Sequence, residues 1–250
     1  MAEHAMTGRA RLQGKLALVT GVTSGIGAAT VRALLAHEAL VIGVGRDAQR
    51  LEAATHDFGP GFRPLLADLA VPEERRRLIA DLATSRAPEM FISNAAECLY
   101  ESPLDVPAST LSRLLEINVT AALELTQAVA ARMLPGAHIV QISSVVARHL
   151  PSAKFAPYAA TKAALDCLSE ALRLELHPRG IHVSTLAPGL VDTPIYDKVQ
   201  GFQRARERIR EQVPTWLSAE DVAETLLWML SRPERVVVAD LVLLPSKQAR

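Results

Sequence analysis

The chain has 250 residues, its 27 Lys and Arg are balanced by 27 Asp and Glu, and only 4% of it is aromatic. Zero formal net charge excludes the electrostatic footprint of a nucleic-acid binder. No run of about 18 apolar residues is present, which excludes a membrane-spanning helix. The remaining composition, 49% hydrophobic and 22% charged, suits a soluble protein with one large core. The stretch from Met1 to Gly14 is polar and lacks the apolar region of a secretion signal. Cys98 and Cys167 stand apart, with no CxxC and no His cluster beside them. They read as reduced thiols of a cytoplasmic protein, not as a disulfide or metal framework.

Short apolar runs alternate with helical patterns in chain order. Strands are expected at 15–20, 39–44, 62–67, 90–93, 137–143, 181–186 and 236–243. Helices are expected from 26 to 35, through Leu51, and at about 72–85, 107–134, 157–177 and 218–231. Continuous apolar strands separated by helices describe a parallel sheet covered on both faces, so the expectation is α/β: one doubly wound domain over 1–250 with about seven strands. The stretch from Val191 to Pro214 breaks this rhythm and carries Arg204, Arg206, Arg208 and Arg210. It follows a strand end, where α/β sheets bind ligands, and reads as a substrate lid at about 191–215. Arg75, Arg76 and Arg77, beside Glu73 and Glu74, read as a surface helix.

Between the first strand and the first helix runs Thr20-Gly-Val-Thr-Ser-Gly-Ile-Gly27, with glycines spaced GxxxGxG. Glycines there let the backbone turn tightly and let a pyrophosphate approach the helix N-terminus, where unpaired N–H groups and the helix dipole favour an anion. At the end of the second strand stands Gly45-Arg46-Asp47. A carboxylate at that point would hold the adenosine ribose hydroxyls and repel a 2′-phosphate, whereas a guanidinium matches phosphate geometry. Arg46 favours NADP(H); Asp47 is the argument for NAD(H).

Tyr158-Ala-Ala-Thr-Lys162 puts a phenol and an ammonium four residues apart on one helix face. A fixed cation favours the phenolate and is expected to lower the tyrosine pKa toward the working range. Ser144 lies fourteen residues earlier at a strand end, where its hydroxyl can donate to a substrate carbonyl oxygen. Ser143 is the adjacent alternative.

With these residues together, the chain resembles the short-chain dehydrogenase/reductase family over nearly its whole length. The resemblance implies a single Rossmann domain, a carbonyl–alcohol reaction, and hydride transfer at the B (pro-S) face of the nicotinamide. It implies Asn118, Ser144, Tyr158 and Lys162 as catalytic residues, with Asn118 holding a relay water and Lys162 binding the cofactor ribose. Cofactor contacts are implied at Gly21, Thr23, Ser24, Gly25, Ile26, Gly27, Arg46, Asp68, Leu69, Asn94, Ala95 and Ala96. Further contacts are implied at Tyr158, Lys162, Pro188, Gly189, Val191 and Thr193, and substrate contacts at Ser144 and Tyr158. Three positions depart from the family pattern. Ala96 replaces the usual Gly, Ala147 replaces a common Gly, and the Ser144–Tyr158 spacing is one residue longer than is common. The stretches from Leu217 to Leu230 and from Arg235 to Pro245 are similar to members acting on 3-hydroxy acids, serine-like amino alcohols and related aldehydes.

The leading expectation is therefore an NADP(H)-dependent ketone or aldehyde reductase or alcohol dehydrogenase acting on a small-molecule substrate, with a hydroxy acid in view. A ketoreductase or dehydrogenase for a bulkier secondary-metabolite or acyl substrate is the alternative. A cofactor-sensing regulator without activity is a third class, disfavoured because all four catalytic positions are filled. Arg148, His149, Lys154 and the 204–210 arginines read either as recognition of an anionic substrate or, for the latter, as a solvated helix face alternating with Glu207 and Glu211. Cys98 reads as a border of the cleft or as a buried filler. Leu111–Met133 and Tyr158–Leu176 carry apolar residues on more than one face, which points to a homodimer or homotetramer.

Overall fold

The computed structural model describes residues 11–249 apart from 198 and 200. Seven strands form one parallel sheet in the order β3-β2-β1-β4-β5-β6-β7. The strands are β1 Leu16–Thr20, β2 Leu40–Gly45, β3 Phe62–Leu66, β4 Met90–Ser93, β5 His138–Ile142, β6 His182–Pro188 and β7 Asp240–Leu243. The helices are α1 Gly25–Ala36, α2 Ala48–Phe58, α3 Pro72–Ala83, α4 Ala108–Leu115, α5 Ala121–Ala130, α6 Ala156–Leu176, α7 Gln203–Gln212 and α8 Ala219–Leu230. No helix among the described residues is long and apolar enough to cross a membrane.

The sheet's two faces explain why its strands read as unbroken apolar runs. In β1 the side chains alternate by the strand's period of two. Ala17 and Val19 join the core under α1 and α8, with Val31, Leu34, Val222 and Leu226. Leu16 and Leu18 join the opposite core with Leu78, Leu82, Leu125 and Val129 of α3 and α5. Each fully buried Leu or Ile in these layers contributes about 2 kcal/mol. A single Rossmann-like domain results.

Three expectations change at this level. β7 is shorter than the apolar run from Val236, and Val236 and Val237 stay exposed. The helix expected over 107–134 is interrupted at Glu116–Thr120 by a π-helical turn, a feature common at functional sites. Arg75 is not on the surface: it is 1% exposed, donates to the Leu69 carbonyl, and pairs with both Glu116 and Glu124. Arg76, exposed and paired with Glu73, is the surface residue the triple arginine suggested.

The stretch after β6 is ordered into a 3₁₀ turn, Pro194–Tyr196, followed by α7. Phe202 and Ala205 bury its inner face, while Arg204, Glu207 and Arg208 are exposed. The solvated-face reading therefore holds for that half of the arginine run.

Candidate active site

The C-terminal ends of β1, β2, β4, β5 and β6 open into one cleft. At its base the chain turns from β1 into α1. Gly21 has φ 74° and Gly25 has φ 53°, a backbone region that side chains disfavour. Gly27 is fixed by space: a Cβ there would lie 2.1 Å from the Gly21 carbonyl oxygen. The first turn of α1 holds no acidic residue, and the Ser24 side chain does not cap it. The N-terminal amides of α1 thus face the cleft in the arrangement that attracts an anion.

Asn94 locks the neighbouring strand end. Its Nδ2 donates to the Thr20 carbonyl at 2.8 Å, and the Asn94 and Ala95 amides both donate to Thr20 Oγ1 at 3.0 Å. Gly21, Thr23, Ser24, Gly25, Ile26, Asn94, Ala95 and Ala96 all line the cleft. So do Arg46, Leu69, Tyr158, Lys162, Pro188, Gly189, Val191 and Thr193. Gly27 lies behind the wall, where it permits the close helix–strand contact. Asp68 departs from the expected wall. Its carboxylate accepts from the Ala70 amide at 2.9 Å and lies 3.6 Å from Arg113, while Leu69 takes the wall position.

At the β2 end, Asp47 caps α2 by accepting from the Arg50 amide at 3.0 Å. Capping engages the Asp47 carboxylate, the group on which the NAD(H) alternative depends. Arg46 and Arg50 both border the cleft. Arg46 donates to Glu97, which also accepts from Arg113 Nη2 at 2.9 Å. Burial pushes the Glu97 carboxyl up, but the hydrogen bonds from Arg113 and Arg46 outweigh it and hold the group below its ordinary range. Nothing in the sequence marked Glu97 beyond its place directly after Asn94-Ala-Ala96.

At the other end, Ser144, Tyr158 and Lys162 converge. Ser144 opens the 3₁₀ turn Val145–Ala147 after β5 by accepting from the Val146 amide, and its hydroxyl lies where it acts on the Tyr158 phenol. Tyr158 and Lys162 lie one turn apart on α6, with Lys162 Nζ 5.9 Å from the Tyr158 ring centroid. The Lys162 ammonium donates to the Ile142 carbonyl at 2.7 Å. Burial lowers its pKa to about 8.

The electrostatics of the tyrosine differ from the sequence expectation. Burial raises the Tyr158 phenol well above its ordinary value, Cys98 and Tyr196 add to that, and the Ser144 hydrogen bond offsets only part. Lys162 is turned toward Ile142, so desolvation wins over the cation. Asn118 lies in the π-helical turn. Its Nδ2 donates to the Glu97 carbonyl at 2.9 Å and to Thr161 Oγ1 at 3.0 Å, and its Oδ1 accepts from the Glu97 amide at 2.9 Å. The carboxamide therefore clamps the β4 exit to α6, and both its amide protons are used.

Ser143, the alternative serine, is buried in the cleft wall with no partner for its hydroxyl. Cys98 lines the cleft, so the border reading applies. Burial pushes its thiol up to about 12. Missed altogether by sequence reasoning is an aromatic group around Tyr158, formed by Tyr100, Phe155, Tyr196 and Phe202. Its signal was the concentration of aromatic residues in the segments that follow strand ends, in a chain otherwise poor in them. Among the described residues no group of three or more His, Cys, Asp or Glu is placed to hold a metal ion.

Comparison with known proteins bears on the family and the fold. Residues 15–203 match the family pattern described as short chain dehydrogenase. Serine 3-dehydrogenase of Rhizobium radiobacter is 31% identical over 235 residues, covering 93% of this chain and 94% of that protein. L-xylulose reductase of Mus musculus is 31% identical over 226 residues, covering 88% and 90%. Among solved structures, the closed form of serine dehydrogenase complexed with NADP+ superimposes with a TM-score of 0.85 at 26% identity, covering 94% of this chain and 96% of that one. A short-chain dehydrogenase from Burkholderia cenocepacia J2315 in complex with NADP gives 0.83 at 31% identity, covering 93% and 97%. With a family pattern over most of its length and the fold to match, the chain belongs to the short-chain dehydrogenase/reductase family of oxidoreductases acting on alcohol and carbonyl groups.

Proposed function

We propose that the protein is an NADP(H)-dependent oxidoreductase that interconverts a ketone or aldehyde with its alcohol. The observation that carries this is the convergence of Ser144, Tyr158 and Lys162 at one end of a cleft whose other end presents the α1 amides and two arginines. The cleft fits a dinucleotide on its own terms. Glycines stand where a Cβ would clash, the helix N-terminus is uncapped by side chains, and the buried Ser143 hydroxyl lacks a partner. Arg46 and Arg50 favour the 2′-phosphate form, in keeping with the NADP named in the two structural relatives above.

Gly21, Thr23, Ser24, Gly25 and Ile26 would hold the pyrophosphate, Leu69 and Arg46 the adenosine, and Asn94, Ala95, Ala96, Pro188, Gly189, Val191 and Thr193 the nicotinamide end. A bound nicotinamide would supply the hydride chemistry at the substrate carbon. In the reductive direction the Tyr158 hydroxyl gives its proton to the carbonyl oxygen, and the Ser144 hydroxyl donates to the same oxygen as charge develops. Lys162 would hold the cofactor ribose, and its ammonium supplies a positive charge near the phenol. Asn118 fixes the β4 exit on which the cleft depends, and a relay water belongs at its turn. The 191–215 segment acts as the lid, because Tyr196 and Phe202 cover Tyr158. In the single domain of 250 residues this lid is the part that selects substrate.

Purified protein should oxidise NADPH with carbonyl substrates, and Tyr158→Phe should abolish turnover while leaving NADPH binding intact by fluorescence titration. Full activity in that variant would overturn the assignment; binding without turnover in the wild type would favour the regulator class instead. We further propose self-association into a dimer or tetramer, supported by the exposed Leu115 and Leu174 on α4 and α6. A monomer mass by light scattering would contradict it.

A further inference from the structure

We propose that the chamber over Tyr158 takes an uncharged carbonyl compound whose substituent is an aromatic or branched apolar group, and that it discriminates against carboxylate-bearing substrates. The inference rests on the oxidoreductase reading and names the substrate class for that same site.

The chain holds five Phe, three Tyr and two Trp. All three tyrosines gather at this end of the cleft, with Phe155, Phe202 and Trp216. Tyr196 stacks on Phe202 with centroids 5.0 Å apart, and its other neighbour, Trp216, meets it edge-on at 5.7 Å. Tyr100 packs edge-on against Phe155 at 4.9 Å and Phe202 at 5.2 Å. Phe202 is 0% exposed and sits at the centre of the group. Toward the cleft the wall is made by Tyr196, Ile195, Pro194 and Cys98, and the raised thiol pKa makes Cys98 a neutral apolar surface at working pH. Tyr158 and Tyr196 are the rings that reach the cleft, with the others packed behind them, so a planar ring entering here meets those two.

The arginines around this chamber with carboxylate neighbours are committed elsewhere. Arg206 is tied to Asp192 and Asp197 at 3.0 Å each, and Arg210 to Asp192 at 2.8 Å. Both guanidiniums lie over the outer Trp216 ring, 5.6 and 4.9 Å from its centroid. Arg148 is held by Asp166 and Asp240. Lys154 is exposed on the Tyr100 ring. The remaining charged residues lining the cleft, Arg46, Asp47, Arg50 and Glu97, belong to the adenosine end, and Lys162 to the catalytic group. Among the described residues that line the cleft, Lys162 is the one cation at this end; Lys154, exposed and without a carboxylate partner, lies outside the lining. Among the described residues, a carboxylate entering it would surrender its water and find no lining cation beyond Lys162, a penalty that apolar contacts do not return. For Arg148, Arg206 and Arg210 the anionic-substrate reading is thereby disfavoured: their carboxylate partners come from this chain.

The test uses NADPH-loaded enzyme and a size-matched set: acetophenone, phenylglyoxylate, acetone and pyruvate. The expected result is a kcat/KM for acetophenone at least about 100-fold above phenylglyoxylate, and above acetone by a similar factor. Phe202→Ala, which removes the packing behind Tyr196, should lower the ratio of acetophenone to acetone kcat/KM at least about tenfold. Comparable or faster turnover of phenylglyoxylate would overturn the proposal. So would an aryl preference unaffected by Phe202→Ala in a variant that keeps its fold by circular dichroism. Calorimetric titration of the NADP+-loaded protein with acetophenone and phenylglyoxylate reads the same preference without turnover. An enzyme inactive with every carbonyl but binding acetophenone selectively would refute the oxidoreductase reading and leave the substrate-class inference standing; no selectivity in either assay refutes the inference itself.

Discussion

Arg46, at the exit of β2, donates to the Glu97 carboxylate just past β4, and the sheet order places β1 between those two strands. The pair therefore bridges the crevice above the β1 exit. A dinucleotide laid along the α1 N-terminus meets this bridge, and its 2′-phosphate would compete with Glu97 for the same guanidinium. Arg113, which also donates to Glu97 Oε2 at 3.2 Å, keeps that carboxylate paired when Arg46 turns away. Arg46→Ala should weaken NADPH binding about tenfold or more with little effect on NADH, and Glu97→Gln should strengthen NADPH binding by a similar factor. Fluorescence titration with both cofactors at low and high salt reads the difference. Equal NADPH affinities in all three proteins would remove Arg46 from the phosphate site.

The two proton-bearing groups of the catalytic end titrate in opposite directions. Tyr158 is raised by burial, so at neutral pH it carries the proton that reduction needs. Burial lowers Lys162 to about 8, so its positive charge is present below that pH and lost above it. Reductive kcat/KM should be flat from about pH 6 to 7.5 and fall as pH rises through about 8. Oxidation of the alcohol needs the phenolate and should rise toward alkaline pH instead. Lys162→Met should lower the reductive rate and erase the fall near 8. A profile with the same inflection in that variant would assign the inflection to another group.

These electrostatics show where a linear sequence stops being informative. The glycines of the β1–α1 turn, the strand-end serines and the Tyr158–Lys162 pair are local patterns, and each lies where its spacing put it. The sheet is equally legible, because a strand buried on both faces has to be apolar at every position. What the spacing did not carry is direction and desolvation. Lys162 lies one turn from Tyr158 as expected, yet its ammonium is drawn to the Ile142 carbonyl, and burial decides the phenol's state. Asp47 and Arg46 are adjacent in sequence, but one caps a helix and the other crosses the crevice. The aromatic group joins residues from four separate loops and helices, so it has no period to detect.

Arg75 is the plainest case of a contact hidden in a charged run. Its guanidinium links the Leu69 carbonyl, in the cleft wall, to Glu116 at the π-helical turn and Glu124 on α5. Arg75→Ala would leave a buried carbonyl and two carboxylates without their donor. The carboxylates retain access to water, with side chains 30% and 42% exposed, so the cost belongs at the lower end for a broken buried pair, about 3 kcal/mol. Urea unfolding should show a lower midpoint at unchanged slope. Arg76→Ala, on the exposed face, is the control and should shift stability by under about 0.5 kcal/mol. A midpoint for Arg75→Ala equal to that control would show the buried network to be energetically idle.

A second buried group makes stability depend on pH far from the catalytic end. His138, at the N-terminal end of β5, places Nε2 2.7 Å from Ser184 Oγ, whose own proton goes to the Val238 carbonyl at 2.7 Å. The network therefore assigns the imidazole proton to Nε2, with the ring neutral. Burial, then the neighbouring His182 and Lys15, lowers the His138 pKa to about 4. In the unfolded chain it titrates near about 6.5, so between these values the unfolded state binds more protons. The contribution is complete above about pH 6.5 and is lost as pH falls toward 4, on the order of 3 kcal/mol. Replacing the ring with a side chain that does not titrate but still donates to Ser184, His138→Gln, should cost some stability at pH 7.5 and flatten the acid side of the curve. Urea midpoints from pH 7.5 to 4.5 measure both. If the variant loses stability with pH as steeply as the wild type, the acid sensitivity resides in other groups.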